Sequence, residues 1–334
     1  PSSAASDVYK RQIQYGPVDG WFILLIMGGL SISFFSYQVI KATRLVMLGA
    51  PDNRFDSWGL RIKEMLVGWL GQKKVLRDKV AGTMHVLMFW GFLMLGSDML
   101  DLASANYFSE HLLPSFLNNP WNGIVELGYT TALLGALAAL TRRIIFTPEK
   151  LKGKSQLEGN FILVLILTIT STSFIIESPE NPSSFWEPLG FWVSGLGLSS
   201  TFIVASYWAH MVAICCFLVL IPVSKHMHLV MAIPNVFFHD TQALGKMRPL
   251  AIGEDGKAVP LEDLDIDSFG VSTFDQYTWR QIIDGWSCTS CARCQDVCPA
   301  YESGKGLNPM QAVSYTHLRA HETLRYLVCR LLLE

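Results

Sequence analysis

Residues 208–235 read WAHMVAICCFLVLIPVSKHMHLVMAIPN. The run carries no formal charge before Lys225, and the uncharged stretch reaches back past Ser200. A membrane span needs about 20 mostly apolar residues. A span from about Ser200 to Ser224 is therefore expected. An ionisable side chain inside such a segment is a functional candidate by default, which singles out His210, with His226 and His228 just beyond. His210 and His228 are 18 residues apart. At about 100° per residue this is five whole turns, so on an unbroken helix they share a face, roughly 27 Å apart along the axis. His226 would point about 160° away from that face. Pro222 is expected to bend the helix.

Working outward, four more uncharged blocks are long enough to span: about Trp21 to Ile40, Val80 to Ser97, residues 122–141 with Glu126 near the start, and Gly159 to Ile176. The stretch PLGFWVSGLGLSS (188–200) is read as an interfacial segment. The whole composition agrees, with 50% hydrophobic and only 16% charged residues, a mean hydropathy of +0.31, and a charged share well below that of soluble domains. The net charge of −2 gives no basis for a nucleic-acid partner. Lys and Arg crowd the loop from Lys41 to Lys79, are absent from 101–122, return at Arg142, Arg143, Lys150, Lys152 and Lys154, are absent again from 177–200, and reappear at Lys225. By the positive-inside rule the N-terminus lies outside and the region after the fifth span in the cytoplasm.

Span direction selects histidine partners. The second span runs outward, so His85 sits on the cytoplasmic side. The fifth runs inward, so His228 does too. These two are candidates for the axial ligands of one b-type haem. A partner for His210, nearer the outer side, would stand about ten residues after His85, and that position is Leu95. The alternative for each lone histidine is a packed or interfacial residue with one hydrogen bond. His226 and His239 are read that way, and His111 as solvated. Cys215 and Cys216 are expected in the core. LLGALAAL (133–140) and the glycine pair of GLG (195–197) suit close helix packing.

Beyond Ile233 the chain turns polar and acidic. Residues 234–287 read as a loop-rich cytoplasmic connector ending in a short helix, TFDQYTWRQIIDGW (273–286). Then comes SCTSCARCQDVCPAYESG (287–304), in which Cys288, Cys291, Cys294 and Cys298 take the spacing C-x2-C-x2-C-x3-C-P. This is the bacterial ferredoxin run, in which three thiolates hold one [4Fe–4S] cluster and the fourth ligates a second. The alternative is a zinc site. Seven cysteines, four in one run, argue for metal binding over disulfides.

Both ends read as something else. SSAASDVYKRQ (2–12) and VSYTHLRAHET (313–323) are what translation of a transposase-type sequencing adapter gives on its two strands, and LVCRLLLE (327–334) fits its continuation. Residues 1–12 and 312–334 are expected to be adapter-encoded, with His317, His321 and Cys329 among them, and the cysteine partners of Cys298 to lie beyond a cut after LNPMQ.

The histidine helix resembles the last helix of the respiratory nitrate reductase gamma subunit, a dihaem quinol-oxidising cytochrome b, in its histidine spacing, Pro222, Ser224 and Lys225. GTMHVLMFWGF (82–92) resembles the second helix of that fold, with His85 in place of its first haem histidine and Leu95 in place of the second. A five-helix cytochrome followed by CTSCARCQDVCPAYESGKGLNP is similar to fused membrane iron–sulfur oxidoreductases related to heterodisulfide reductase, among them electron-transfer-flavoprotein:menaquinone oxidoreductases. Ala292 stands where glycine is common. The resemblance covers about 18–311. It implies an all-α membrane protein: a five-helix transmembrane cytochrome b bundle (13–233), the connector (234–287) and a partial ferredoxin-like [4Fe–4S] domain (288–311). It further implies haem b on His85 and His228, a second haem at His210 left open, and two [4Fe–4S] clusters in the full-length protein. Electrons would pass between a cytoplasmic donor, an electron transfer flavoprotein, and quinone in the cell (inner) membrane. The alternatives are a relay subunit without catalysis of its own, or a quinol-oxidising complex linked to heterodisulfide or sulfite reduction.

Overall fold

The computed structural model describes residues 14–15, 18–108, 118–146, 154–178, 182–241, 262 and 276–314. His111, Lys150, Lys152, most of the 234–287 connector, and the adapter-like ends apart from 312–314 lie outside them. Among the described residues the one sheet is a ribbon of two-residue strands, β1 (Gln14–Tyr15) against β2 (Val18–Asp19). The other regular elements are helical. In chain order come α1 (Gly20–Val46), α2 (Trp58–Met65), α3 (Lys79–Phe108), α4 (Asn118–Ile145), α5 (Lys154–Glu177) and α6 (Pro188–Ser194). These are followed by α7 (Ser200–Leu220), α8 (His228–Phe237), α9 (Trp279–Ser287), α10 (Pro299–Glu302) and α11 (Pro309–Ser314). Among the described residues five stretches are long and apolar enough to cross a membrane: Phe22–Val46, Lys79–Ser97, Asn119–Ile145, Gln156–Glu177 and Ser200–Val223. Each contains most of one expected span, and PLGFWVS is a helix too short to cross.

The chain divides into two compact units, one of Pro1–Tyr37 with Gln72–Ser224, the other of Gln38–Gly71 with Lys225–Glu334. The last turns of α1 and all of α8 pack with the segment that leads into the cysteine run.

In the first unit α3 packs on α4, α4 on α5, and α5 on both α6 and α7. Small residues let the backbones meet. A Cβ on Gly91 would stand 2.6 Å from the Gly128 carbonyl oxygen and 2.7 Å from Ala132 Cβ, and one on Gly135 would stand 2.8 Å from the Met84 oxygen. LLGALAAL is thus a packing seam, as expected. GLG is not: a Cβ on Gly197 would meet nothing, and its φ of +63° marks a turn. An apolar cluster of Val125, Tyr129 and Phe174 gathers Leu95, Trp121, Leu133 and Val193. Buried Glu126 accepts from the N–H groups of Leu189 (3.0 Å) and Gly190 (2.9 Å), fixing the first turn of α6. Cys215 is half-buried but Cys216 is exposed on α7, contrary to a core position for both.

At Pro222, where a bend is expected, the histidine helix stops altogether. After Leu220 the chain makes a 3₁₀ turn (Ile221–Val223), passes through extended Ser224 (φ −123°, ψ 177°), makes a second (Lys225–Met227), and only then starts α8 at His228. Pro222 offers no N–H to the α-helical ladder and its ring crowds the carbonyl four residues back. The shared face of His210 and His228 required an unbroken helix and does not follow from this backbone.

In the second unit the end of α1 enters a core made largely of later sequence. Ala42 packs with Met227 and Met231, Val46 with Ile282 and Ile283, and Trp286 touches both groups. Two arginines bind the C-terminal carbonyls of α8. Arg61, fully buried, donates to the oxygens of Phe237 (3.1 Å) and His239 (2.8 Å) and to Asp56 (2.6 Å). Arg280 donates to the oxygens of Phe238 (2.8 Å) and Asn235 (3.0 Å) and to Asp284 (2.7 Å). Cations at a helix C-terminus satisfy orphan carbonyls and offset the helix dipole. Because Arg280 stands on α9, this contact also fixes the helix that leads into the cysteines. Thr278 starts α9 with a capping box closed by Gln281.

Candidate functional site

The histidines sort by what holds their rings. His228 Nδ1 lies 2.8 Å from the Lys225 carbonyl oxygen. A carbonyl only accepts, so Nδ1 carries a proton, and in the neutral ring Nε2 keeps its lone pair. His210 Nδ1 lies 3.1 Å from the Ile169 oxygen and 2.9 Å from Thr172 Oγ1. The Thr172 hydroxyl already donates to Thr168 at 2.6 Å, so Nδ1 is again the donor. Histidines that bind metals almost always give their other N–H to a carbonyl, carboxylate or water. Both rings therefore have the tautomer and the anchor an axial ligand needs. Burial pushes the His228 imidazole toward its neutral form, against the hydrogen bond to Lys225. His239 differs: Nδ1 donates to the Val236 oxygen at 2.7 Å while Nε2 meets the Glu64 carboxylate, leaving no nitrogen for a metal. His85, half-buried on α3, stacks along Phe89 with ring centres 6.5 Å apart. His226 lies beside His228, ring centres 5.6 Å apart. Of the predicted ligands, His85 and His210 belong to the first unit and His228 to the second. Leu95 stands within the apolar cluster of Val125, Tyr129 and Phe174.

The cysteine run leaves the end of α9. Cys288 is half-buried directly after it, Cys291 and Cys294 are exposed, and Cys298, half-buried, precedes α10 with Pro299 at the first helical position. Among the described residues no three His, Cys, Asp or Glu side chains converge on a point for one metal ion. The thiols are nonetheless neighbours. Burial pushes the Cys288 thiol up, the Ser290 N–H draws it back, and charge on Cys291 or Cys294 pushes it up again. Ser290 (φ +52°) and Ala292 (φ +63°) flank Cys291 in the left-handed region. Left-handed residues are one of the elements from which the amide nests of phosphate and iron–sulfur sites are built. This backbone also explains the glycine expected at 292: positive φ favours glycine, and buried Ala292 is the next smallest side chain. Four thiols close together in sequence, three of them near enough for charge on one to act on another, are the donor type that iron–sulfur clusters take.

One joint connects the cysteine run to a histidine within the second unit. The Ser287 hydroxyl, one residue before Cys288, shares its hydrogen between the Ile283 carbonyl oxygen of its own helix (2.9 Å) and the Met231 carbonyl oxygen (3.0 Å), three residues along α8 from His228. Sequence reading did not find this joint, nor Lys225, Ile169 and Thr172 as partners of histidine rings. A usable signal existed for Thr172: it belongs to TITSTS (168–173), a hydroxyl-rich run inside an apolar span.

No protein-family model matches the chain, and no solved structure matches it. Curated proteins do. The chain is 28% identical over 316 aligned positions to the probable iron–sulfur-binding oxidoreductase FadF of Bacillus subtilis, covering 90% of this chain and 43% of that protein. It is 28% identical over 345 positions to the EtfAB:quinone oxidoreductase of Syntrophomonas wolfei, covering 96% and 46%. A shorter match, 37% over 65 positions, is to the probable membrane-anchored ferredoxin of Chromohalobacter salexigens, covering 18% and 10%. The chain spans less than half the length of the two long relatives. Oxidoreductase chemistry is what these likenesses support.

Proposed function

We propose that this chain forms part of a membrane-bound oxidoreductase that exchanges electrons between a cytoplasmic donor, an electron transfer flavoprotein, and membrane quinone. The observation that carries the reading is the joint of Ser287 on Met231, which ties the cysteine run to the turn of α8 beginning at His228. The name of the Syntrophomonas relative supports the choice of donor and acceptor. In this reading residues 13–233 are a haem-binding membrane domain, 234–287 a connector and 288–311 part of a ferredoxin-type domain. The N-terminus lies outside and the cysteines in the cytoplasm of a cell with an inner membrane.

Cys288, Cys291 and Cys294 would hold one [4Fe–4S] cluster, and Cys298 would ligate a second in the whole protein. His85 and His228 would hold haem b. His210 would serve a second haem only with a ligand other than Leu95. When bound, these groups supply one-electron storage and transfer. The chain's own residues do the positioning. The Lys225 carbonyl fixes the His228 ring and tautomer. Ser290 and Ala292 give the backbone on either side of Cys291 its left-handed turns. Arg280, reaching α8 from α9, holds the start of the cysteine run in register with the histidine helix. Trp286 packs beside the joint against Met227 and Met231.

The test is a reduced-minus-oxidised spectrum with iron and labile-sulfide assays on the chain purified from membranes of cells supplied with iron and haem. A low-spin b-type band lost in both His85→Ala and His228→Ala, with iron and sulfide lost in Cys291→Ser, is the expected result. A band unchanged in both histidine variants, or zinc in place of iron, overturns the assignment.

A further inference from the structure

A strip of apolar side chains lies bare on the second unit. Helix α2 continues into a π-helical segment, Leu66–Leu70, so the chain is helical from Trp58 to Leu70. Its inner side is committed. Arg61 is buried on the carbonyls of Phe237 and His239, and Gly68 lies 3.7 Å, measured from an added Cβ, from Val236. Trp58, Ile62 and Leu66 follow at four-residue spacing, one above the next along another side. They are 54%, 44% and 48% exposed. Val67, at 45%, widens the strip, and Lys63 rises beside it.

A bare strip has no assigned cover until something says where it lies, and α1 does. The candidate span Phe22–Val46 ends inside this unit, with Ala42 and Val46 in its two small cores. No linker separates the end of the apolar span from the unit, so the unit is held at the level where α1 leaves the bilayer. Met47 and Leu48, directly after it, are 76% and 64% exposed. Phe55, just before α2, is 61% exposed while its ring meets Phe238 edge-on and stacks on Trp279. Bare apolar and aromatic groups at that level, with a lysine whose stem can lie along them, are the composition of a membrane–water interface.

We infer that Trp58–Leu70 is an interfacial helix, lying in the plane of the bilayer with Trp58, Ile62 and Leu66 at the boundary of headgroups and acyl chains and Lys63 at the headgroup phosphates. Such helices bury an apolar face a few ångströms deep and keep the other side polar. The occupant of the strip is lipid, and the helix becomes a second anchor for the unit that carries the cysteines. The inference uses neither the haem nor the cluster assignment.

The whole chain is reconstituted in nanodiscs of phosphatidylethanolamine and phosphatidylglycerol, with and without a phosphatidylcholine bearing a nitroxide near the top of its acyl chain. Ten tryptophans contribute to the emission, so the Trp58 signal is read as wild type minus Trp58→Phe, a change that keeps a ring against Phe237. The expected result is a difference signal lost to the nitroxide lipid and spared by acrylamide. As a gain-of-signal control that removes no ring, Leu66→Trp should add emission quenched the same way. A difference signal lost to acrylamide and spared by the lipid puts the strip in water and overturns the inference. A signal spared by both means protein covers it, which overturns it equally.

Discussion

The two units satisfy their polar groups in opposite ways. In the helical bundle hydroxyls turn back on their own helix: Thr168, Thr170, Ser171, Thr172 and Ser173 each donate to a carbonyl three or four residues earlier on α5. In the second unit polar side chains reach across the chain. Arg61 and Arg280 bind α8, Asn235 binds Asp284 (2.7 Å), and the Trp279 indole donates to the Asp52 oxygen (2.8 Å). A helix in lipid must satisfy its backbone and hydroxyls internally, because no water is there to help. A unit beside water can leave groups to find partners in its tertiary structure. This contrast gives weight to exceptions. Within the bundle, His210 on Ile169 and Thr172, and Glu126 on the first turn of α6, are polar contacts between helices, and each involves an ionisable residue.

The largest blow to this contrast is Arg61→Ala. It strips the carbonyls of Phe237 and His239 of their buried donor, at a cost of about 1–3 kcal/mol for each acceptor left unpaired. In detergent, limited proteolysis should open the second unit while circular dichroism keeps the helices of the bundle. Loss of both together would mean the units share one stability. Next comes Gly91→Ala, whose new methyl must enter the crossing at Gly128 and Ala132. The expected loss is about 1–3 kcal/mol, read as an earlier midpoint in denaturing-detergent titration. An unchanged midpoint would show that α3 and α4 separate easily.

A finer probe is the pair Thr172→Val and Thr168→Val. Both remove a back-bonded hydroxyl, but only Thr172 also receives His210. The first should cost about 1 kcal/mol more than the second, and equal costs would remove His210 from the list of meaningful exceptions. Smallest is a pH effect. The hydrogen bond from Arg61 holds the Asp56 carboxyl below the usual aspartate range. A carboxyl lower in the folded state contributes stability above its unfolded value of about 4 and loses it as pH falls through the folded one. Wild type and Asp56→Asn should therefore unfold at different temperatures at neutral pH and converge in acid. A gap that widens in acid has the wrong sign.

Sequence revealed the apolar blocks well, since length and hydropathy alone decide a span, and the ends of all five were placed within several residues. Pro222 was visible as a bend, yet its effect, a full break with Ser224 extended, depends on the turns around it. GLG misled because a glycine serving a positive φ and one serving close approach look alike in sequence. Arg61 and Arg280 were illegible for another reason: nothing local to either reveals that the carbonyls of α8 are its partners. The cysteine spacing was plain, and the glycine-favouring backbone at Ala292 supplies a reason for a departure that spacing could only record.

The end of α1 carries a consequence in time. Val46 packs on Ile282 and Ile283, and the Asp52 carbonyl waits for the indole of Trp279, 227 positions later. At typical synthesis rates that interval is on the order of ten to forty seconds. During it the ribosome delivers four further apolar helices, while the finished first helix has no partners for its last turns. The segment Trp58–Leu70 emerges early in this delay with its apolar residues bare. Sequestering it at once, before the second unit exists, would keep the nascent chain from aggregating through its own first loop.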